Sequence, residues 1–147
     1  MSKSILVFDP GESTGWCFQA ENGTVYGGTA RKDHLEVAQL IRATQPDIVV
    51  LERFNLYPQM AKSLSWNSFY PCETIGVIKV VCMELGIPIV EQAPSVKKYF
   101  GGFQSDWDTI EYLPLQWEPF SKGVTEHTKD AYMHYRYFLR NGLKKLI

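Results

Sequence analysis

Cysteine is scarce in this chain. Cys17, Cys72 and Cys82 are its three, an odd number with no two at metal-ligand spacing. That argues against a disulfide framework and a thiolate zinc site, and it points to reduced, mostly buried thiols in a cytoplasmic protein. Long apolar runs are missing as well, and no stretch is long enough to span a bilayer. The first residues lack the basic, then apolar, then small pattern of a signal peptide. An excess of one charge is also absent: 15 Lys and Arg stand against 16 Asp and Glu, a net −1. A uniformly basic nucleic-acid binder is therefore excluded, and any such contact must come from a local patch. With 45% hydrophobic and 21% charged residues among 147, the composition fits one soluble globular domain over 1–147 with a sizeable core.

What is present is organised around Ile5-Leu6-Val7-Phe8-Asp9-Pro10-Gly11. A short apolar run bounded by turn residues predicts a buried strand. Asp9 ends it, and a carboxylate at the rim of a core strand is costly unless something pairs with it. A divalent cation is one such partner. Gly11 and Gly15 are expected to let the backbone turn and to leave space beside the carboxylate. The plain alternative is an Asp that caps a turn, since Asp-Pro-Gly is ordinary turn chemistry.

The rest of the chain extends this pattern. Gly15–Ala20 and Thr24–Ala30 predict two further strands around an Asn22-Gly23 hairpin signal, giving a three-stranded meander. Asp33 opens a helix with Glu36 in capping-box spacing. Leu35, Ala38 and Ile41 mark its apolar face, widened by Val37 and Leu40, and Pro46 ends it. Asp47–Glu52 is a second buried-type strand, and it too ends in a carboxylate. A strand after a helical crossover is usually parallel to an earlier one and often beside it, so Asp9 and Glu52 are expected at one edge. In Arg53–Ser68, aromatics that include Phe54 and Tyr57 alternate with polar and basic groups; they either stack on bases or cover the core. Pro71 opens a largely buried helix closed by Gly86, in which Gly76 suggests close packing against a neighbour. Ile87–Val90 is a short last strand. Pro94 starts a helix over Ser95–Phe100, whose Lys97 and Lys98 either form a solvated face or hold phosphates. Gly101–Gly123 shows no clear periodicity. Thr125 caps a final helix to about Leu139 or Arg140, with His127, Asp130, Ala131, His134 and Phe138 on one face. Taken alone, His127 reads as a satisfied, partly buried histidine.

Together, Asp9, Glu52 and Asp130 offer hard oxygen ligands, and His127 adds a nitrogen ligand or a proton-transfer group. This is not a zinc set. It suits Mg²⁺ or Mn²⁺ held by few protein groups and completed by water and substrate phosphate. Two such ions about 4 Å apart activate a water and stabilise the leaving oxygen in phosphodiester hydrolysis.

The ordered set resembles the RuvC family of Holliday junction resolvases in the RNase H-like superfamily. It consists of a strand with Asp9-Pro10-Gly11, a hairpin, a helix, a strand with Glu52, a long helix, a short strand, Pro94-Ser95-Val96-Lys97, and His127-x-x-Asp130-Ala131. The resemblance implies an α/β fold with a mixed five-stranded sheet flanked by helices. It implies metal ligation by Asp9, Glu52 and Asp130, with His127 at a position that is aspartate in some members and histidine in others. It places Lys97 near the scissile phosphate. It further implies a homodimer that cuts two opposed strands of branched DNA, with compact members in phages and poxviruses and hence a bacterial or infected-host cytoplasm. The chain departs from bacterial members in Ser105–Pro119, which is acidic and tryptophan-containing. Glu73 and Glu126 are further carboxylates expected near the site. The alternatives are a ribonuclease H or broader branched-DNA nuclease on the same fold, a junction-binding module without catalysis, and an actin-like nucleotide-binding domain. Against the last, the chain is short for two lobes and lacks a second phosphate loop.

Overall fold

The computed structural model describes residues 3–11, 13–30, 33–54, 69–96 and 125–142. The apolar run at the start forms β1 (Ile5–Asp9), buried from Ile5 to Phe8 and half-buried at Asp9. It turns into β2 (Thr14–Gln19), which returns antiparallel with Asp9 opposite Gly15 and Ile5 opposite Gln19. The Asn22-Gly23 turn then leads to β3 (Val25–Ala30). Gly23 sits at φ 90 and the Asn22 side chain accepts from the Thr24 N–H at 2.9 Å, the conformation that made Asn-Gly a hairpin signal.

Helix α1 (His34–Thr44) is opened by Asp33, whose carboxylate accepts from the Leu35 N–H. Pro46 bars Gln45 from continuing the helix. Gln45 takes the left-handed conformation at φ 45 and donates its N–H to the Ile41 carbonyl. The chain crosses over to β4 (Ile48–Glu52), parallel to β1 with Phe8 beside Leu51. Helix α2 (Tyr70–Leu85) ends on Gly86 at φ 69. β5 (Ile89–Gln92) then pairs parallel to β4. Helix α3 (Glu126–Tyr137) continues into one wide, π-helical turn over Phe138–Gly142. The sheet order is β3-β2-β1-β4-β5.

Strand alternation divides the interior into two layers. Leu6, Phe8, Trp16, Val49 and Leu51 pack under α1 and α2, together with Val37, Ile41, Ile78 and Val81. Ile5, Val7, Cys17, Ile48 and Val50 pack on the other face against Ala131, Tyr132, Tyr135 and Phe138 of α3. The mixed five-stranded sheet with helices on both faces is the expected architecture.

Several local expectations are corrected. Leu35 is 57% exposed, and the buried face of α1 is Glu36, Val37, Ala38, Leu40 and Ile41. Helix α2 is buried along one stripe only: Val80 and Met83 face solvent and Leu85 is partly exposed, because the sheet and α1 cover a single side. Gly76 has open space where a side chain would be, so it does not mark a close approach. The last strand starts two residues later than Ile87. Ile87 is used to close α2, its N–H bonding the Cys82 carbonyl, and Pro88 offers its carbonyl to the Val49 N–H before the ladder begins. Residues 94–96 form a short 3₁₀ turn, and the remainder of the helix expected over Ser95–Phe100 lies outside the described residues, with Lys97 and Lys98. Tyr57 and the whole of 101–124 also fall outside them.

Candidate active site

Each carboxylate is placed by strand parity. Asp9 follows Phe8, so it faces the α3 layer with Ile5 and Val7; Glu52 follows Leu51 and faces the same layer with Ile48 and Val50. β1 and β4 are parallel neighbours with Phe8 beside Leu51, so both carboxylates emerge at one edge, on one face, just past the last paired residues. This is the arrangement expected from sequence.

What brings the third element to this edge is Gly15. It stands opposite Asp9 and faces α3. A Cβ there would lie 1.8 Å from the His127 carbonyl oxygen and 2.7 Å from the Thr128 nitrogen. The glycine therefore serves helix–sheet contact rather than a turn: it lies within β2, and neither it nor Gly11 has a positive φ. The Asp-Pro-Gly turn is instead held by Thr14, whose hydroxyl accepts from the Gly11 N–H at 3.3 Å and donates to its carbonyl at 3.2 Å.

The first turn of α3 is fastened to β3 by three threonines. Thr125 Oγ1 accepts from the His127 N–H at 3.2 Å, and Thr128 Oγ1 accepts from the Thr125 N–H at 3.1 Å. Thr128 Oγ1 also donates to the Gly28 carbonyl at 2.8 Å. With its one proton committed, Thr128 must accept from Thr29 Oγ1 at 3.1 Å, and Thr29 must then accept from Thr125 Oγ1 at 2.6 Å. The hydroxyls thus form one directed chain from Thr125 to Gly28. It closes the capping box and fixes the helix end over Gly15.

On α3, His127 is exposed and Asp130 half-buried. By helical spacing, Asp130 lies one turn N-terminal of His134 on the same side of the helix. His134 is completely buried and meets Glu52: His134 Nε2 lies 2.9 Å from Glu52 Oε2, whose side chain is 15% exposed. Gln92, at the end of β5 on the same face, places its Nε2 3.1 Å from His134 Nδ1 and 3.0 Å from the His134 carbonyl oxygen. Sequence reading set His134 on the correct face but gave it no function. Its partners lie 82 and 42 residues away, and nothing local to α3 announces them.

Among the described residues no three His, Cys, Asp or Glu side chains converge as a cation site; Glu52 is turned toward His134. The donor chemistry nevertheless fits Mg²⁺ or Mn²⁺: Asp9 and Glu52 share an edge and a face, and the turn carrying Asp130 is pressed against Gly15 where a side chain would exclude it. Phe54, just past Glu52, is half-buried. Glu73 is not near these groups. It lies in the first turn of α2, on the opposite layer, bonded at 3.1 Å to His34 of α1. Glu126 opens α3 and is exposed. Away from the edge, burial pushes the Cys82 thiol up to about 11, the Cys17 thiol higher still, and raises the Tyr135 hydroxyl, which donates to Gln19 Oε1. No helix among the described residues is long and apolar enough to cross a membrane.

No family model matches the chain, and no curated protein sequence does. Solved structures do. Thermus thermophilus RuvC in complex with Holliday junction substrate matches with a TM-score of 0.64 at 16% identity, over 96% of this chain and 97% of that one. Thermus thermophilus RuvC in a separate structure matches with a TM-score of 0.60 at 15% identity, over 95% and 96%. The yeast mitochondrial Holliday junction resolvase Ydc2 matches with a TM-score of 0.52 at 12% identity, over 92% of this chain and 77% of that one. The strand order, the crossover and the helix seated on Gly15 together give this chain the RNase H-like fold of RuvC.

Proposed function

We propose that the protein is a divalent-metal-dependent endonuclease that resolves four-way or branched DNA junctions by phosphodiester hydrolysis. The observation that carries this reading is the pair Asp9 and Glu52, delivered by two parallel neighbouring strands to one face of one edge and covered by α3, whose first turn sits on Gly15 opposite Asp9 and whose His134 meets Glu52. Fold alone does not assign activity. The carboxylate pair at this place in a fold shared over nearly the whole chain with junction-bound RuvC supports it.

Asp9, Glu52 and Asp130 would hold Mg²⁺, with Mn²⁺ able to replace it and two ions acting together. When bound, the metal supplies an activated water and charge stabilisation at the leaving oxygen. The chain's own groups do the rest. The carboxylates repel one another and so favour a cation between them. His127, exposed at the start of α3, is free to accept or deliver a proton at the rim of the site. The threonine chain holds that turn in place, so His127 and Asp130 keep their position as substrate enters. Lys97 and Lys98 hold phosphates as compact point charges. Phe54 and Tyr57 stack on bases near the cut. A homodimer presents two such edges and cuts the opposed strands symmetrically.

The test is cleavage of a synthetic four-way junction in Mg²⁺, in Mn²⁺ and in chelator, beside linear duplex and an RNA–DNA hybrid. Paired, metal-dependent nicks in the junction alone are expected. Cleavage of the hybrid would move the substrate to that of a ribonuclease H. No cleavage under any condition would overturn the catalytic reading in favour of a binding module.

A further inference from the structure

We infer that His134 is a positioning residue for Glu52, and that Gln92 sets the tautomer in which it works. This rests on the nuclease reading above and deepens it. The hydrogen atoms follow from the partners. Gln92 Nε2 lies 3.0 Å from the His134 carbonyl oxygen, which only accepts, so the amide nitrogen is the atom on that side. The same nitrogen lies 3.1 Å from His134 Nδ1, so Nδ1 accepts and carries no proton. The proton of the neutral ring is then on Nε2, and it is donated to Glu52 Oε2 at 2.9 Å. One side chain of β5 thus fixes a ring of α3, and the ring fixes a carboxylate of β4.

Stability does not account for this network. His134 is 0% exposed and Gln92 6%, and Gln92 Oε1 is buried with no hydrogen-bond partner among the described residues. A layer otherwise built from Val50, Val90, Ala131 and Phe138 would pack without these polar groups at lower cost. What the network does achieve is orientation. A Glu side chain has three rotatable bonds, and a carboxylate that must share a cation with Asp9 has to present a defined oxygen. Holding Oε2 from the protein side fixes the position and plane of the carboxylate at the edge. A hydrogen-bonded partner behind a ligand is how proteins commonly orient metal-binding groups, and its removal typically weakens metal affinity or activity about 10- to 100-fold.

Two readouts test this. The first is the ¹⁵N spectrum of the His134 ring in metal-free protein. A protonated Nε2 and a bare Nδ1 are expected, with the pattern altered in Gln92→Leu; a protonated Nδ1 in the wild type would overturn the assignment. The second is Mn²⁺ affinity, read by titration apart from any cleavage, in the wild type, His134→Leu and His134→Gln. Gln can return an N–H near the place of Nε2, so it controls for loss of fold. The expected result is affinity about 10- to 100-fold weaker in His134→Leu and largely restored in His134→Gln. Equal affinity in His134→Leu and a wild type that binds would overturn the positioning role alone. A wild type that binds no Mn²⁺ would overturn the metal reading itself.

Discussion

Gly15 and Asp9 face each other across β1 and β2, and their substitutions should fail in different ways. Gly15→Ala places a methyl where the His127 carbonyl stands, 1.8 Å from the new Cβ. The obstacle is backbone, so the helix end must move; a loss of about 1–3 kcal/mol is expected for such overpacking, visible as a lower urea midpoint together with lost cleavage. Asp9→Asn, Glu52→Gln and Asp130→Asn change charge and little volume. Each should abolish cleavage of a four-way junction while circular dichroism and melting stay near wild type. Junction binding in a gel-shift assay should survive or strengthen, because negative charge beside phosphate is removed. Loss of binding together with loss of cleavage would count against these roles.

At the scale of elements, α3 carries the third part of the proposed site, and its attachment to β3 can be tested separately from the proposed chemistry. Thr128→Val keeps shape but removes the donor to Gly28 and the acceptor for Thr125. The expected cost is about 1–2 kcal/mol, the size of a lost helix cap, measured by chemical denaturation. Cleavage should fall further than stability alone explains, since His127 and Asp130 ride on that turn. The pairs on the outer layer contrast with this. His34–Glu73 and Arg42–Glu84 tie α1 to α2, but both Glu side chains are 61% exposed, and exposed pairs contribute little. Glu73→Gln should leave cleavage unchanged.

For the molecule as a whole, the thiols report on integrity. Cys72 is exposed while Cys17 and Cys82 are buried. In native protein one thiol should react readily with a thiol reagent, and the other two only as fast as the fold opens. Burial raises the Cys82 thiol from 9.0 to about 11 and raises Cys17 in the same direction. A raised thiol favours the folded state fully below pH 9 and loses that contribution as pH climbs toward 11. Stability should therefore decline above pH 9, and a denaturation midpoint measured between pH 7 and 11 checks it. A midpoint that rises with pH over that span would contradict the burial of these groups.

The strands and caps were legible because their causes are local. Apolar runs ending in Asp9 and Glu52, Asn22-Gly23, Asp33, Pro46, Gly86 and Thr125 each act within a few residues, and the observed boundaries lie close to those expected. The shared edge of Asp9 and Glu52 was also legible, because a helical crossover favours parallel neighbours. Helix faces were read less well: Leu35 has the periodicity of a core residue yet is exposed, because coverage depends on what packs against the helix. Gly15 was only half legible: it makes no turn, but it does leave space beside Asp9, and that space is filled by a helix more than a hundred residues later. Tertiary structure alone decided that His134 meets Glu52 and Gln92. Hydrogen-bond partners far apart in the chain leave no periodic signal, because only the closing of the sheet and the docking of α3 bring them within reach.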